Sequence, residues 1–250
     1  MRRSFHRWLI IALFPLLAVP GRTATPPLLD EAIKKWIADE DHWAYTRHLH
    51  VRNGSKPVEE RVERYDPSQP DDLQWQLLEI GGKTPGPDQL KAWQRQKSRE
   101  LKRTNEKPLA DYFDFEHAAV AEETADKVRY DVPLRKEAYR RIPLDKIGVS
   151  VVVSKDRREL QGLTAGLKET FRMAMGAAKV TNFGLDISFQ SLDPKFTTQP
   201  AVIKVNGSAR VAFFFKMGGD AEIGWSDFKR VKPYKDRFDV KIGDLKALDF

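Results

Sequence analysis

The stretch that decides the fold is 43-WAYTRHLHVRNGSKPVEERVERY-65. Its residues alternate with a period of two, which is typical of β-strands. Asn53-Gly54 favours a tight hairpin turn, residues 57–65 return as a second strand, and residues 73–80 are predicted to be a third. The predicted first strand has Trp43, Tyr45, Leu49 and Val51 on one face and Thr46, His48, His50 and Arg52 on the other. The segment therefore predicts an antiparallel meander.

Two helical patterns flank this meander. Residues 26–43 place Leu29, Ile33 and Trp36 on one face of a short helix. Residues 88–103, DQLKAWQRQKSRELKR, predict a strongly basic helix whose thin apolar stripe contains Leu90, Trp93 and Leu101. Residues 108–119 predict a second helical piece. We expect helices inserted into the sheet at about 86–118.

The second half of the chain has dense strand patterns. Residues 120–134 predict a hairpin, and further strands are predicted at 149–155, 159–166, 169–176, 177–192, 201–219, 222–231 and 238–245, with a second Asn-Gly turn at Asn206-Gly207. A helix over 158–175 is the alternative, because Leu160, Leu163, Leu167 and Phe171 keep helical spacing. Strands are favoured there because each of the two glycines, Gly162 and Gly166, disfavours a helix by about 1 kcal/mol.

These patterns predict an α+β fold. The strands contain no regular βαβ alternation, so we expect one highly curved antiparallel sheet, a half-barrel of about 10–11 strands with two or three covering helices. The domain is expected to comprise residues 25–250, since no linker-like segment divides it.

Residues 1–24, MRRSFHRWLIIALFPLLAVPGRTA, have the pattern of an export signal. Three arginines precede an apolar run from Trp8 to Val19, which is too short for a comfortable membrane span, and small residues suit cleavage near Ala24. A retained anchor is the alternative. We expect export to the periplasm. The chain has no cysteine, so disulfides and a lipid-modified cysteine are excluded.

The charge argues against nucleic acid as a partner. The full chain has a net charge of +7, but residues 1–24 contain four arginines and no acidic residue. The rest of the chain has 39 basic and 36 acidic side chains, a net charge of +3. This balance is too small for a general affinity for phosphate backbones.

The sequence predicts no catalytic or metal site and no cofactor. His48 and His50 share a strand face, but zinc normally needs three or four ligands and no third histidine is near in the sequence. Ser226 adjoins Asp227 without a neighbouring histidine, and no nucleophile motif or phosphate loop occurs. The acidic residues Glu59, Glu60, Glu63 and Asp66 are expected on an exposed strand, paired with Arg61 and Arg64.

Two sets of residues are candidates for binding. Aromatic and apolar residues at strand positions are predicted to line a groove for an apolar ligand, with Arg47 as a polar group inside it: Trp43, Tyr45, Arg47, Leu49, Trp75, Phe183, Phe189, Phe213, Phe215 and Trp225. An ordinary filled core is the alternative. The basic helix is predicted to contact anionic lipid headgroups or an acidic partner through Lys91, Arg95, Lys97, Arg99 and Lys102, with a merely solvated face as the alternative.

Taken together, the export signal, the helix LLDEAIKKWI (28–37), the meander and the inserted helices resemble the Lol-type periplasmic lipoprotein carriers and the RseB-like sensor domains. The stretch ERYDPSQPDDLQWQLLEIGGKTP (63–85) is also similar to uncharacterised secreted proteobacterial proteins. The resemblance implies a half-barrel lidded by helices over a cavity that takes acyl chains. The resemblance does not identify any lipoprotein-docking residue in this chain.

The expected function is a soluble, monomeric periplasmic binding protein that shelters an acyl chain, a lipid or an acylated protein without catalysis. Peripheral membrane contact and an envelope protein partner are further expectations. The alternative is an envelope protein-interaction or stress-sensing module with the same fold and a filled core.

Overall fold

The computed structural model describes residues 24–39, 42–104, 112–135, 143–173, 177–193, 195–211 and 215–237. The expected export signal lies outside the described residues except for Ala24, and so does the strand predicted at 238–245. The described elements are α1 (Pro27–Asp39), β1 (Trp43–Asn53), β2 (Glu59–Tyr65), β3 (Trp75–Ile80), α2 (Pro87–Thr104), β4 (Ala119–Glu123), β5 (Lys127–Asp131), β6 (Ile147–Ser154), β7 (Glu159–Leu167), β8 (Phe171–Met173), β9 (Ala178–Gln190), β10 (Gln199–Val211) and β11 (Phe215–Arg230).

The eleven strands form one antiparallel sheet in the order β3-β2-β1-β11-β10-β9-β7-β6-β5-β4, with β8 paired to β9. The pairing of β1 with β11 joins the first meander to the strands of the second half. The sheet is curved and does not close, since β3 and β4 remain at its two edges. The α+β half-barrel expected from the sequence is therefore confirmed.

Residues that lie directly opposite each other on paired strands share a face of the sheet. One such row crosses seven strands and is apolar throughout: Leu49, Ile223, Ile203, Ile187, Leu163, Val151 and Tyr130. The helix α1 covers this face at β6 and β7, where Leu29, Ala32 and Ile33 are buried in the main hydrophobic cluster. The core thus lies between α1 and one half of the sheet.

The hairpin at the start of the sheet forms as predicted. Gly54 has a φ of 60°, in the left-handed region that an Asn-Gly turn requires. The described part of segment 158–175 also forms strands, β7 and β8, rather than a helix, as favoured from its two glycines.

The second Asn-Gly turn prediction is wrong. Asn206 and Gly207 lie in the middle of β10, opposite Asp220 and Gly219 of β11. The strand continues because neighbouring backbones pack closely here: a Cβ atom on Gly218 would lie 2.7 Å from the carbonyl oxygen of Gly207. These glycines allow close backbone approach inside the sheet rather than a turn.

The described part of the inserted segment contains one long helix, α2, and a short 3₁₀ turn at Phe115–His117. Residues 105–111, which include the first four residues of the predicted second helical piece, lie outside the described residues. Phe113 is buried and Tyr112 is half-buried.

Candidate functional site

An apolar cavity of about 540 Å³ opens on the sheet beside the main core. It lies at the first residues of β6 and the last residues of β7, and extends across β9, β10 and β11. Fifteen residues line it: Phe113, Leu134, Leu144, Ile147, Val149, Ala165, Phe171, Val180, Asn182, Phe183, Leu185, Gly207, Ser208, Ala209 and Gly218. Its volume falls in the range of about 300–1,000 Å³ that small-molecule sites occupy.

Among the described residues of the lining, only Asn182 and Ser208 have polar side chains, and both bond to protein neighbours. The amide of Asn182 donates to Oδ1 of Asn206 at 2.9 Å. The hydroxyl of Ser208 shares a hydrogen bond of 2.9 Å with that of Thr181. The cavity therefore offers chiefly hydrocarbon to a ligand, which favours an apolar guest.

Small residues make the space. Ala165 and Ala209 lie on β7 and β10, and Gly207 and Gly218 lie diagonally across from each other on β10 and β11. Larger side chains at these positions would project into the volume, as Phe171 and Phe183 do at its border. The cavity exists because the sheet is curved and this part of its face carries little side-chain volume.

Of the ten residues predicted to line the groove, Phe183 lies in the cavity lining. Phe189 belongs instead to the edge of the core, where its ring meets Trp36 edge-on at 5.7 Å. Phe213 lies outside the described residues, and the side chain of Phe215 is not described. The others lie on β1, β3 and β11 and do not line this cavity: Trp43, Tyr45, Arg47, Leu49, Trp75 and Trp225.

Comparison with solved structures gives two matches. A LolA superfamily protein from Nitrosomonas europaea matches over 87% of this chain and 98% of its own, with 11% sequence identity and a TM-score of 0.38. A DUF1329 family protein from Desulfovibrio piger matches over 87% of this chain and 94% of its own, with 11% identity and a TM-score of 0.35. No protein-family model and no curated protein matches the chain.

Beneath α2 lies a buried ionic cluster around Glu63. The Glu63 side chain is fully buried, so its predicted exposure is wrong. It accepts hydrogen bonds from Nε of Arg47 at 3.2 Å, from Nε1 of Trp93 at 2.7 Å and from Nζ of Lys97 at 3.0 Å. Glu100 adds a second carboxylate near Lys97 and Arg47, at 3.3 and 3.5 Å. The cluster therefore holds α2 against β1 and β2.

Two opposing effects act on the pKa of Glu63. Burial raises it, because the charged form loses its hydration. The positive charge of Arg47, the hydrogen bond from Trp93 and the charge of Lys97 outweigh burial, so the pKa of Glu63 lies below its ordinary value. Glu63 is thus a carboxylate at neutral pH, and its charge is compensated inside the protein.

The predicted groove aromatics fill the space around this cluster. Tyr45, Tyr65 and Trp75 form a contiguous group with ring centroids 4.8–6.1 Å apart. The ammonium of Lys97 lies 4.1 Å from the centre of the Trp75 ring, and the guanidinium of Arg47 lies 4.6 Å from it. Arg47 is therefore engaged by Glu63 and Trp75, rather than being a polar group inside an apolar pocket.

The basic helix face is smaller than predicted. Lys97 is only 5% exposed and belongs to the buried cluster, so its assignment to an outer surface is wrong. Lys91, Arg95 and Arg99 are exposed, and none of the three forms an ion pair with another described residue. The side chain of Lys102 lies outside the described part. The exposed basic face of α2 is hereafter Lys91, Arg95 and Arg99.

His48 and His50 alternate with Leu49 along β1 and so lie on the face of the sheet opposite to the apolar row. They line a polar depression with Glu60, Glu79 and Glu222. Across the described residues, no three histidine or acidic side chains are placed to hold a metal ion. His50 pairs with Glu60 at 3.3 Å.

The structure also brings His48 to Ser226, which the sequence spacing did not predict. Nε2 of His48 lies 3.1 Å from Oγ of Ser226, and Ser226 donates to Asp227 at 2.9 Å. A hydroxyl has one proton, so in this arrangement His48 donates to Ser226 and does not accept from it. A catalytic triad instead places the carboxylate beyond the histidine. The contact therefore does not activate Ser226 as a nucleophile.

None of the helices in the described part of the chain is both long and apolar enough to cross a bilayer. Most of the cavity lining was not predicted from the sequence, because the predicted groove consisted mainly of large aromatic residues. The signal that could have found it is the combination of alternating apolar residues on β6, β7 and β9 with alanine and glycine on the adjoining strands.

Proposed function

We propose that this protein is a periplasmic binding protein that shelters an acyl chain, of a lipid or of an acylated protein, in the apolar cavity and performs no catalysis. The observation that carries the proposal is the cavity itself: about 540 Å³ of space whose described lining residues include only two polar side chains, both bonded to neighbours. Such a lining gains free energy by removing hydrocarbon from water and provides no group for chemistry.

A filled core, the alternative considered from the sequence, is disfavoured by this cavity. Side chains of the described residues leave this part of the sheet face unfilled. Apolar surface in contact with water is unfavourable, and a bound hydrocarbon chain would remove it from water.

The test is to fill the cavity by substitution. Ala165→Phe and Ala209→Phe place a ring inside it, and Ala121→Phe on the exposed edge strand β4 is the matched control. Displacement of a fluorescent fatty-acid probe measures binding, and circular dichroism checks folding. We expect the two cavity variants to lose probe binding and the control to keep it. Folded cavity variants that bind as well as the unchanged protein would refute the proposal.

We further propose that the exposed basic face of α2 contacts anionic lipid headgroups when cargo is loaded or released. Its support is the uncompensated charge of Lys91, Arg95 and Arg99 on one helix. Each basic residue near an anionic surface contributes about 1 kcal/mol of attraction, which salt weakens.

This contact is tested by charge reversal. The triple variant Lys91→Glu, Arg95→Glu and Arg99→Glu should lose sedimentation with phosphatidylglycerol vesicles and keep binding of the fatty-acid probe. The control reverses three exposed lysines elsewhere, Lys56, Lys229 and Lys232, and changes the net charge equally. Equal loss of vesicle binding in both triple variants would show that binding depends on the net charge of the protein and not on the basic face of α2.

A further inference from the structure

A second depression, of about 490 Å³, lies at the opposite end of β6 and β7 from the apolar cavity. The turn between these strands forms one wall, and the end of α1 and the residues before β10 form the others. Its lining is polar: Lys35, Ala38, Asp39, Asp156, Arg157, Glu159, Lys195, Phe196 and Thr197. It is thus separate from the proposed lipid site, and the inference below does not rest on that function.

Two buried side chains that line this depression have atoms without partners. Glu159 and Thr197 are each only 6% exposed. Within the described residues, neither Oε2 of Glu159 nor Oγ1 of Thr197 has a hydrogen-bond partner. Buried polar atoms are almost always bonded, so two unbonded ones at the same depression indicate that something else binds there.

The other two acidic residues of the lining already have donors. Asp39 accepts a hydrogen bond from Nε1 of Trp43 at 2.7 Å and another from Arg230. Asp156 accepts from the hydroxyl of Ser154, and this bond lowers the pKa of Asp156. Burial acts oppositely on Glu159 and raises its pKa.

The cationic residues of the lining have spare donors. In the part of the chain that the structure describes, no carboxylate forms an ion pair with Arg157 or Lys195. Lys35 donates to the carbonyl oxygen of Arg157 at 3.1 Å and lies 3.6 Å from Glu31. The guanidinium of an arginine suits the oxygen atoms of a phosphate in particular.

We propose that this depression binds a phosphate group, with Arg157 and Lys195 supplying the charge and the hydroxyl of Thr197 donating a hydrogen bond at its buried end. A phosphate has several acceptor oxygens and so can accept from all three of these donors. The phosphate group can belong to a small phosphate ester or to a phospholipid headgroup. The ester is free in solution, whereas the headgroup lies on a membrane surface.

Isothermal titration of the protein with sodium phosphate, against sodium chloride at equal ionic strength, tests the site. Arg157→Gln and Arg158→Gln form a matched pair, because both remove one positive charge from the same turn and Arg158 bonds instead to Glu31. We expect Arg157→Gln to weaken phosphate binding by about ten-fold or more and Arg158→Gln by less than about two-fold. Thr197→Val should weaken it as well without changing the charge.

A second experiment distinguishes a phospholipid headgroup from a soluble phosphate ester. Vesicles of phosphatidylcholine with added phosphatidic acid present the phosphate on a surface, and glycerol 3-phosphate presents it in solution. Binding of both that depends on Arg157 assigns a headgroup, whereas binding of glycerol 3-phosphate alone assigns a soluble ester. The proposal is overturned if neither phosphate nor either probe binds, or if Arg157→Gln and Arg158→Gln have the same effect.

Discussion

At the scale of single residues, Glu63 is the most consequential group in the described structure. It is a fully buried carboxylate with donors from three residues, Arg47, Trp93 and Lys97. The sequence could not predict this burial, because Glu63 lies in a run of acidic and basic residues and its partner Lys97 is 34 residues away. Charged residues are almost never fully buried unless paired, and the pairing becomes apparent only in the folded chain.

Glu63→Gln should destabilise the protein by about 3–5 kcal/mol, because it leaves the two buried cations Arg47 and Lys97 with only the partly exposed carboxylate of Glu100 as a compensating charge. The measurement is the free energy of unfolding in urea. Glu60→Gln on the same strand is the control, since the Glu60 side chain is 57% exposed and pairs only with His50. We expect the control to change stability by less than about 1 kcal/mol. Similar losses in both variants would contradict a buried ionic cluster.

The pH dependence of this effect follows from the lowered pKa of Glu63. A carboxyl whose pKa is lower in the folded state stabilises the fold above its unfolded pKa, and this contribution disappears as the pH falls through the folded pKa. The difference in unfolding free energy between the unchanged protein and Glu63→Gln should therefore be full at neutral pH and shrink below the ordinary value of 4.5. A difference that stays constant down to strongly acidic pH would show that Glu63 stabilises the fold without its negative charge.

At the scale of elements, the period of two predicted the strands well because most strands of a one-sided sheet alternate apolar and polar residues. The hairpin at Asn53-Gly54 and the strands over 159–173 are confirmed on these grounds. The same reasoning failed at Asn206-Gly207, where glycine serves close packing of backbones rather than a turn. A dipeptide indicates a tight turn only if the flanking strands pair with each other, and no local pattern shows whether they do.

Gly219→Ala should destabilise the sheet more than Gly224→Ala on the same strand. A Cβ atom on Gly219 would overlap the carbonyl oxygen of Arg52, whereas one on Gly224 would have no atom within 4 Å. Overpacking of this kind costs about 1–3 kcal/mol. The overlapping atom belongs to the backbone, which cannot move aside as a flexible side chain could. Thermal unfolding of the two variants measures the difference. Equal melting temperatures would contradict the close approach of β11 to β1.

At the scale of the whole molecule, the sequence predicted a curved sheet with an apolar face but placed the groove at the wrong end. The large aromatics Trp43, Tyr45 and Trp75 fill space at other parts of the sheet, because large rings leave little volume when they pack together. The cavity lies where alanine and glycine leave volume beside Phe171 and Phe183. The sequence shows which residues are apolar. Only the curvature of the folded sheet shows where their side chains leave a space between them.

The central claim is that this cavity binds an acyl chain, and the most direct measurement is titration of the protein with saturated fatty acids of increasing length. Each methylene buried contributes about 0.8 kcal/mol, so affinity should rise about four-fold per carbon until the cavity is full and then level off. Ala209→Phe should shift the plateau to shorter chains. An affinity that does not depend on chain length, or no binding at any length, would contradict the account.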